Sequence, residues 1–217
     1  MSFDKPLDIP KPKLRLPIHE ATQFVLVRPH YPENVGAIAR AIKTMGFTQL
    51  TLMKPGRLAV PEHEMAFKMA VKSWDVLNAA RRVDDLGSAL SGVGLVLATT
   101  ARRGFSGIIQ PREAAARAVQ HAAAGGKVAF LFGNEKSGLS EAEHAWATLH
   151  VRIPMAADQP SVNLAQATQI IAYELLVEAL AERARQGAPI TLDSFDDIDT
   201  AAQVETDEDD PTSEKDA

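Results

Sequence analysis

Five apolar, β-prone runs punctuate this chain: FVLV (24–27), LTLM (50–53), VGLVLATT (93–100), KVAFLF (127–132) and HVRIPM (150–155). Each is followed by a stretch with helical spacing, at 34–46, about 63–77, 111–124, 139–149 and about 161–186. A strand with one face in water alternates apolar and polar residues. These runs are nearly continuous, the pattern of strands covered on both faces. Strand–helix alternation of this kind predicts an α/β fold, a mainly parallel sheet with helices on both faces. Helix 34–46 places Val35, Ile38, Ala39, Ile42 and Met45 on one stripe, with Asn34 as expected N-cap and Gly46 just past its end. The last helix carries apolar groups at Leu164, Ala167, Ile170, Ile171, Leu175 and 177–180. It is long enough to pack on more than one sheet, so a dimer element and a core-covering helix are equally open readings. Trp74 and Trp146 fall in helical patterns and read as core.

Three stretches are expected: a Pro-rich basic arm (1–20), one folded domain (21–188) and an acidic tail (189–217). The arm holds four prolines with Lys5, Lys11, Lys13 and Arg15, which favours an extended backbone. The net charge of −5 hides an uneven distribution: eleven acidic residues lie between Asp193 and Ala217 against the single base Lys215. Residues 1–192 then carry 17 acids and 22 bases, a mildly basic body compatible with a polyanionic partner. The tail is expected to be disordered, serving solubility or mimicking nucleic acid on that body. No apolar run is long enough for a membrane span, and MSFDKPLDIPKPKLRLP lacks the apolar stretch of a signal peptide. Zero cysteines exclude a disulfide, a thiol nucleophile and a thiolate metal site, which suits a cytoplasmic protein. None of the six histidines forms a ligand-spaced pair, so no metal is assigned.

In an open parallel sheet, ligands collect beyond the carboxyl ends of the strands. Three loops there are candidates. The first, RPHYPENVGAIAR, sets Asn34, Gly36 and Arg40 at a helix start. Free N–H groups at that start suit phosphate, Gly36 lets a backbone approach closely, and Asn34 and Arg40 are expected to point toward one loop edge. The plainer account of this loop alone is a capping Asn and a surface Arg. The second, LFGNEKSGLS, contains G-x-E-x-x-G at Gly133, Glu135 and Gly138, a tight turn with accessible backbone. Gly133 and Gly138 also have phosphate-loop spacing, but Leu139 stands where that motif needs the lysine that reaches the phosphates, so a nucleotide hydrolase is rejected. No G-x-G-x-x-G turn follows a strand, which makes a dinucleotide enzyme a poor fit. The third, IPMAADQPSVNLAQA, brings Ser161 and Asn163 to the opening of the long helix, with Ser161 the simplest N-cap.

NVGAIARAIKTMGF, ATTARR, FLFGNEKSGLS and IPMAADQPSVNLAQATQIIAYE, in this order, closely resemble the SpoU/TrmH-type branch of the SPOUT methyltransferases, over roughly residues 22–185. The nearest likeness is to the tRNA ribose methyltransferases of the anticodon loop. The resemblance implies a C-terminal trefoil knot, a homodimer, and S-adenosylmethionine as methyl donor to a ribose 2′-hydroxyl of tRNA or rRNA. Carried over by position, the cofactor-binding residues are Thr99, Thr100, Ala101, Gly133, Asn134, Glu135, Gly138, Ile153, Met155, Ser161, Val162, Asn163 and Leu164. The resemblance implies that Ile153, Val162 and Leu164 form the apolar walls around the adenine. Arg40 matches the family's catalytic arginine, with Asn34 expected to orient it, Glu135 to hold the knot loop or Arg40, and Ser161 and Asn163 to complete the site. A guanidinium is a poor base, so stabilising a developing alkoxide is the more comfortable role; deprotonation is the family's favoured one. Arg28 with His30, Arg40, and Arg102 with Arg103 are candidates to meet RNA phosphates, although a solvated pair is the plainer account of Arg102 and Arg103. Two departures stand out: Val162 replaces a frequent Leu, and an acidic stretch stands where the anticodon-loop relatives carry a folded extension. The arm at 1–20 is a candidate to replace that extension's RNA contacts. The alternative is a non-catalytic RNA-binding module on the same fold.

Overall fold

The computed structural model describes residues 14–102 and 104–188. Seven strands form one sheet: β1 (Thr22–Val27), β2 (Gln49–Met53), β3 (Arg81–Val83), β4 (Leu95–Thr99), β5 (Ile108–Ile109), β6 (Val128–Phe132) and β7 (Leu149–Val151). Their order is β3-β2-β1-β6-β4-β7-β5, and every pair is parallel. All carboxyl ends therefore lie on one edge. β1 and β6 are central, aligned from Thr22↔Val128 to Leu26↔Phe132, and both are almost wholly buried.

Side-chain alternation splits the core into two layers. Phe24, Leu26, Leu52, Leu97, Phe130 and Phe132 face one way, under α2 (Pro32–Thr44), α6 (Pro111–Ala123) and α8 (Leu164–Arg185). Phe24 stacks with Phe130 and Phe132 at 6.3 and 6.2 Å between centroids. Val25, Val27, Val96, Ala98, Ala129 and Leu131 face the other way, against Leu86 and Ala89 of α5 (Leu86–Ala89) and Leu139 beside α7 (Glu141–His144). The expected α/β architecture, with helices on both faces, is what the chain adopts.

Several local expectations are corrected. Residues 63–77 form two helices, α3 (Glu64–Ala70) and α4 (Trp74–Asn78), because Val71 takes a left-handed φ of 50° that no helix continues through. The arm is not extended throughout: α1 (Pro17–Ala21) begins at a proline, whose fixed φ suits a first helical position. Trp146 is 51% exposed rather than core, whereas Trp74 is partly buried and stacks on Phe67 at 4.9 Å. Most of 1–20, Arg103 and the acidic tail lie outside the described residues.

Two features of the topology position the site. β7 lies between β4 and β5, so the connection from β4 to β5 crosses the carboxyl end of β7; Thr100 N donates to Val151 O (2.9 Å) and Arg152 N to Ile109 O (3.0 Å). From β7 the chain runs past this connection to α8, which packs on both α2 and α6.

Candidate active site

Beyond the carboxyl ends of β1, β4, β6 and β7 lies a cleft of about 460 Å³. That volume is in the usual range for a cofactor site. The connection after β4, the turn after β6 and the segment leading into α8 converge on it. All thirteen expected cofactor residues line it: Thr99, Thr100 and Ala101 from the first segment; Gly133, Asn134, Glu135 and Gly138 from the second; Ile153, Met155, Ser161, Val162, Asn163 and Leu164 from the third. Sequence reading missed Tyr31, Lys136 and His144, which also line it.

The turn after β6 is built by its glycines and one asparagine. A Cβ on Gly133 would stand 2.4 Å from Gly138 C and Leu139 N, so the two ends of the turn touch backbone to backbone, and Gly138 has φ +67°. Asn134 Oδ1 accepts from Lys136 N (3.0 Å) and Ser137 N (3.2 Å), while its Nδ2 donates to Arg28 O (2.6 Å). G-x-E-x-x-G here is a backbone-closed turn tied to the end of β1.

Glu135 explains how that turn joins α2. The N-cap of α2 is Tyr31, not Asn34, and Tyr31 offers no capping side chain. Glu135 supplies one from another loop: its carboxylate accepts from His30 N (2.8 Å), Tyr31 N (3.2 Å) and Asn34 Nδ2 (2.9 Å). A carboxylate at a helix start satisfies orphan N–H groups and complements the positive dipole end. Asn34 sits in the first turn, buried, and its Oδ1 accepts from Asn163 Nδ2 (3.1 Å). Asn163, rather than Ser161, caps α8, its Oδ1 accepting from Ala165 N (2.9 Å) and Gln166 N (3.3 Å). Glu135, Asn34 and Asn163 thus link turn, α2 and α8 in one chain of hydrogen bonds.

Arg40 is not part of this network, and Asn34 does not orient it. Six residues rotate a helix by about 600°, leaving the two side chains on different sides of α2. Arg40 is exposed and does not line the cleft of its own chain. Gly36 does admit a close backbone, but it is that of α3: a Cβ there would lie 2.0 Å from Ala66 O.

Two of the expected phosphate-binding arginines, Arg28 and Arg102, hold carboxylates of this chain, and Arg102 also lines the cleft. Arg28 donates to Glu143 Oε1 and Oε2 (both 2.8 Å) and to Gly138 O (3.2 Å). That hydrogen bond raises the Arg28 pKa. Burial pushes the Glu143 carboxyl up, but bonds from Arg28 and Ser140 outweigh it and hold the group below its ordinary range. Arg102 reaches Glu141 (3.2 Å) and Ser137 O (3.3 Å). His144, under the cleft, packs with His150 against Phe105. Burial, then the nearby His150 and Arg102, lower its pKa. No cluster of metal-ligating side chains occurs among the described residues.

The SpoU rRNA methylase family model matches residues 21–173, the stretch that builds both sheet and cleft. The chain belongs to this family. A TrmJ tRNA (cytidine/uridine/adenosine-2′-O-)-methyltransferase from Pseudomonas aeruginosa is 40% identical over 176 residues, 80% of this chain and 66% of that protein. A TrmJ from Photorhabdus laumondii, named a tRNA (cytidine/uridine-2′-O-)-methyltransferase, is 39% identical over 76% of this chain and 67% of its own length. This SpoU-family chain thus spans about two thirds of the curated relatives' length. The crystal structure of TrmJ from Z. mobilis superposes with a TM-score of 0.65 at 33% identity, covering 71% of this chain and 68% of that one. An AdoMet-bound rRNA methyltransferase from Sinorhizobium meliloti gives 0.59 at 25% identity, covering 75% and 58%. SpoU methyltransferases use S-adenosylmethionine.

Proposed function

We propose that the chain transfers a methyl group from S-adenosylmethionine to a ribose 2′-hydroxyl of tRNA, as a cytoplasmic homodimer with a C-terminal trefoil knot. The convergence of three separated loops on one cleft carries this reading. The residues present fit such a donor. The cleft combines apolar walls at Ile153, Val162 and Leu164 with backbone exposed at the glycine-closed turn after β6. These walls would take the adenine, and the polar backbone of 99–101 and 133–135 the remainder. When bound, the donor supplies an electrophilic methyl on a sulfonium.

The chain's own residues position and stabilise. The Glu135–Asn34–Asn163 network fixes the cleft's walls to the start of α2. Arg40 stabilises the developing 2′-alkoxide and an adjacent RNA phosphate, a role suited to a group that stays protonated. Because Arg40 is outside its own chain's cleft, it acts in the partner's cleft. The knot follows from the family and accords with the chain passing the β4–β5 connection on its way to α8. Dimerisation is supported by α8, which buries Leu164, Ile171, Leu175 and Ala179 yet leaves Tyr173 and Val177 exposed on another side. No helix among the described residues is long and apolar enough to cross a membrane.

The test is transfer of tritiated methyl from S-adenosylmethionine to unmodified tRNA by the purified chain. Arg40→Ala is expected to lower transfer about 100-fold or more, on the scale of one lost charge-stabilising donor, while donor binding survives. Unimpaired transfer by that variant removes Arg40 from the mechanism. The position of Arg40 also favours a second reading, an RNA-binding module without catalysis, which binding without any transfer by the wild type would establish.

A further inference from the structure

Several cations of this chain are neutralised internally: Arg28 by Glu143, Arg82 by Glu62 and Arg102 by Glu141. Lys54, Arg57 and Lys136 are different. All three are exposed and none has a carboxylate partner among the described residues; Lys54 lies near Asp85 without pairing to it. They are also connected. Gly56 N donates to Pro29 O (2.9 Å), which holds the 54–57 turn against Pro29 and His30. His30 Nε2 lies 3.0 Å from Lys136 Nζ, and the same ammonium sits 5.5 Å from the centroid of the Tyr31 ring. Tyr31, 41% exposed, lines the cleft together with Lys136. A strip of positive charge without carboxylate partners among the described residues, beside the partly exposed Tyr31 ring that His30 and Lys136 flank, therefore leads out of the cleft across the ends of β1 and β2.

Resting on the reading of the cleft as an RNA methyltransferase site, we propose that this strip is the track for the RNA strand flanking the methylated ribose. Tyr31 stacks on a nucleobase next to the reacting nucleotide, and Lys136, Arg57 and Lys54 meet phosphates beyond it. An aromatic ring accepts any base through its π-face, and cations beside it follow the backbone, the combination that suits a single strand. An acidic protein surface would use the cations but leave the ring idle, so the tyrosine discriminates between the two partners.

Fluorescence anisotropy with a labelled, unmodified tRNA transcript and the full chain, over a range of salt, tests the track without requiring turnover. Each lost phosphate contact lowers the slope of log affinity against log salt by about 0.7–0.9. Lys54→Ala/Arg57→Ala together should flatten it by about 1.4–1.8 and weaken binding roughly tenfold at 0.15 M salt. Tyr31→Ala should weaken binding fivefold or more, the low end for a base–aromatic stack, while Tyr31→Phe stays within about twofold. Lys127→Ala, at a cation of the sheet's amino edge with no carboxylate partner among the described residues, should change neither. An unchanged slope in the double variant, unchanged affinity in Tyr31→Ala, or an equal loss in Lys127→Ala overturns the track. A wild-type chain that binds tRNA but transfers no methyl would defeat the methyltransferase reading and still leave the anisotropy series to decide the track.

Discussion

Replacing Glu135 by alanine removes the acceptor shared by His30 N, Tyr31 N and Asn34 Nδ2, at 2.8, 3.2 and 2.9 Å. The two backbone donors are near solvent, so water takes up part of the loss; each should cost about 0.5–1 kcal/mol. The Asn34 amide is 8% exposed and is left short of a partner, at about 1–2 kcal/mol. The sum is about 2–4 kcal/mol, and Glu135→Gln, which keeps one neutral acceptor, should lose about half of it. Urea unfolding reads this directly, as a shift in midpoint of about 1–2 M at the slopes usual for small domains. The double variant with Asn34→Ala should show a coupling of about 1 kcal/mol or more, since the two side chains share one bond. Donor affinity, read by calorimetry, should fall with stability, because the same carboxylate holds the turn after β6 in place. An alanine variant within about 0.5 kcal/mol of wild type, the scatter of an ordinary surface change, would refute the claim that Glu135 locks this turn to α2.

Gly133→Ala drives a Cβ into the backbone of Gly138 and Leu139 at 2.4 Å, so calorimetry should show donor affinity reduced at least about tenfold, the scale of a 1.4 kcal/mol distortion. Glu143 has a native pKa below its ordinary 4.5, so the stability it confers with Arg28 is complete above pH 4.5 and is lost as pH falls through the native value. Glu143→Gln should cost about 1–3 kcal/mol at pH 7 and reduce the acid-side slope in a melting series. His19 is buried and its pKa is lowered chiefly by that burial, as is that of His144, from an ordinary 6.5. Both favour the native state above pH 6.5 and weaken it as pH drops below that value, because the unfolded chain takes up the proton first. His19→Asn, whose amide oxygen can replace Nδ1 as acceptor for Leu16 N, should flatten melting temperature between pH 6.5 and 5 relative to wild type.

β1, β2, β4 and β6 were readable from sequence because they are almost wholly buried, and runs such as FVLV and VAFLF admit no other economical placement; β7, half-buried, was read only approximately, as 150–155 rather than Leu149–Val151. β3 and β5 left no such signature: Arg81 and Arg82 are exposed at a sheet edge, and two residues of β5 carry no period. The site was legible as a set of loops because chemistry at strand ends concentrates glycine, asparagine and acid in short segments. Its internal wiring was not. That Glu135 caps a helix a hundred residues away depends on β1 and β6 lying side by side, and that Asn34 and Arg40 diverge depends on a helix beginning two residues before Asn34. Tyr31 and Lys136 carried no local pattern at all; only the fold brings them together at the cleft mouth.

We propose that one cleft, walled by segments 99–101, 133–138 and 153–164, holds the methyl donor next to a guanidinium from a second copy. A crystal structure of the full chain grown with S-adenosylmethionine measures it. The adenine should lie between Ile153, Val162 and Leu164, with a partner's Arg40 facing the methyl group. Donor density outside this cleft, or every copy of Arg40 turned away from it, would contradict this placement.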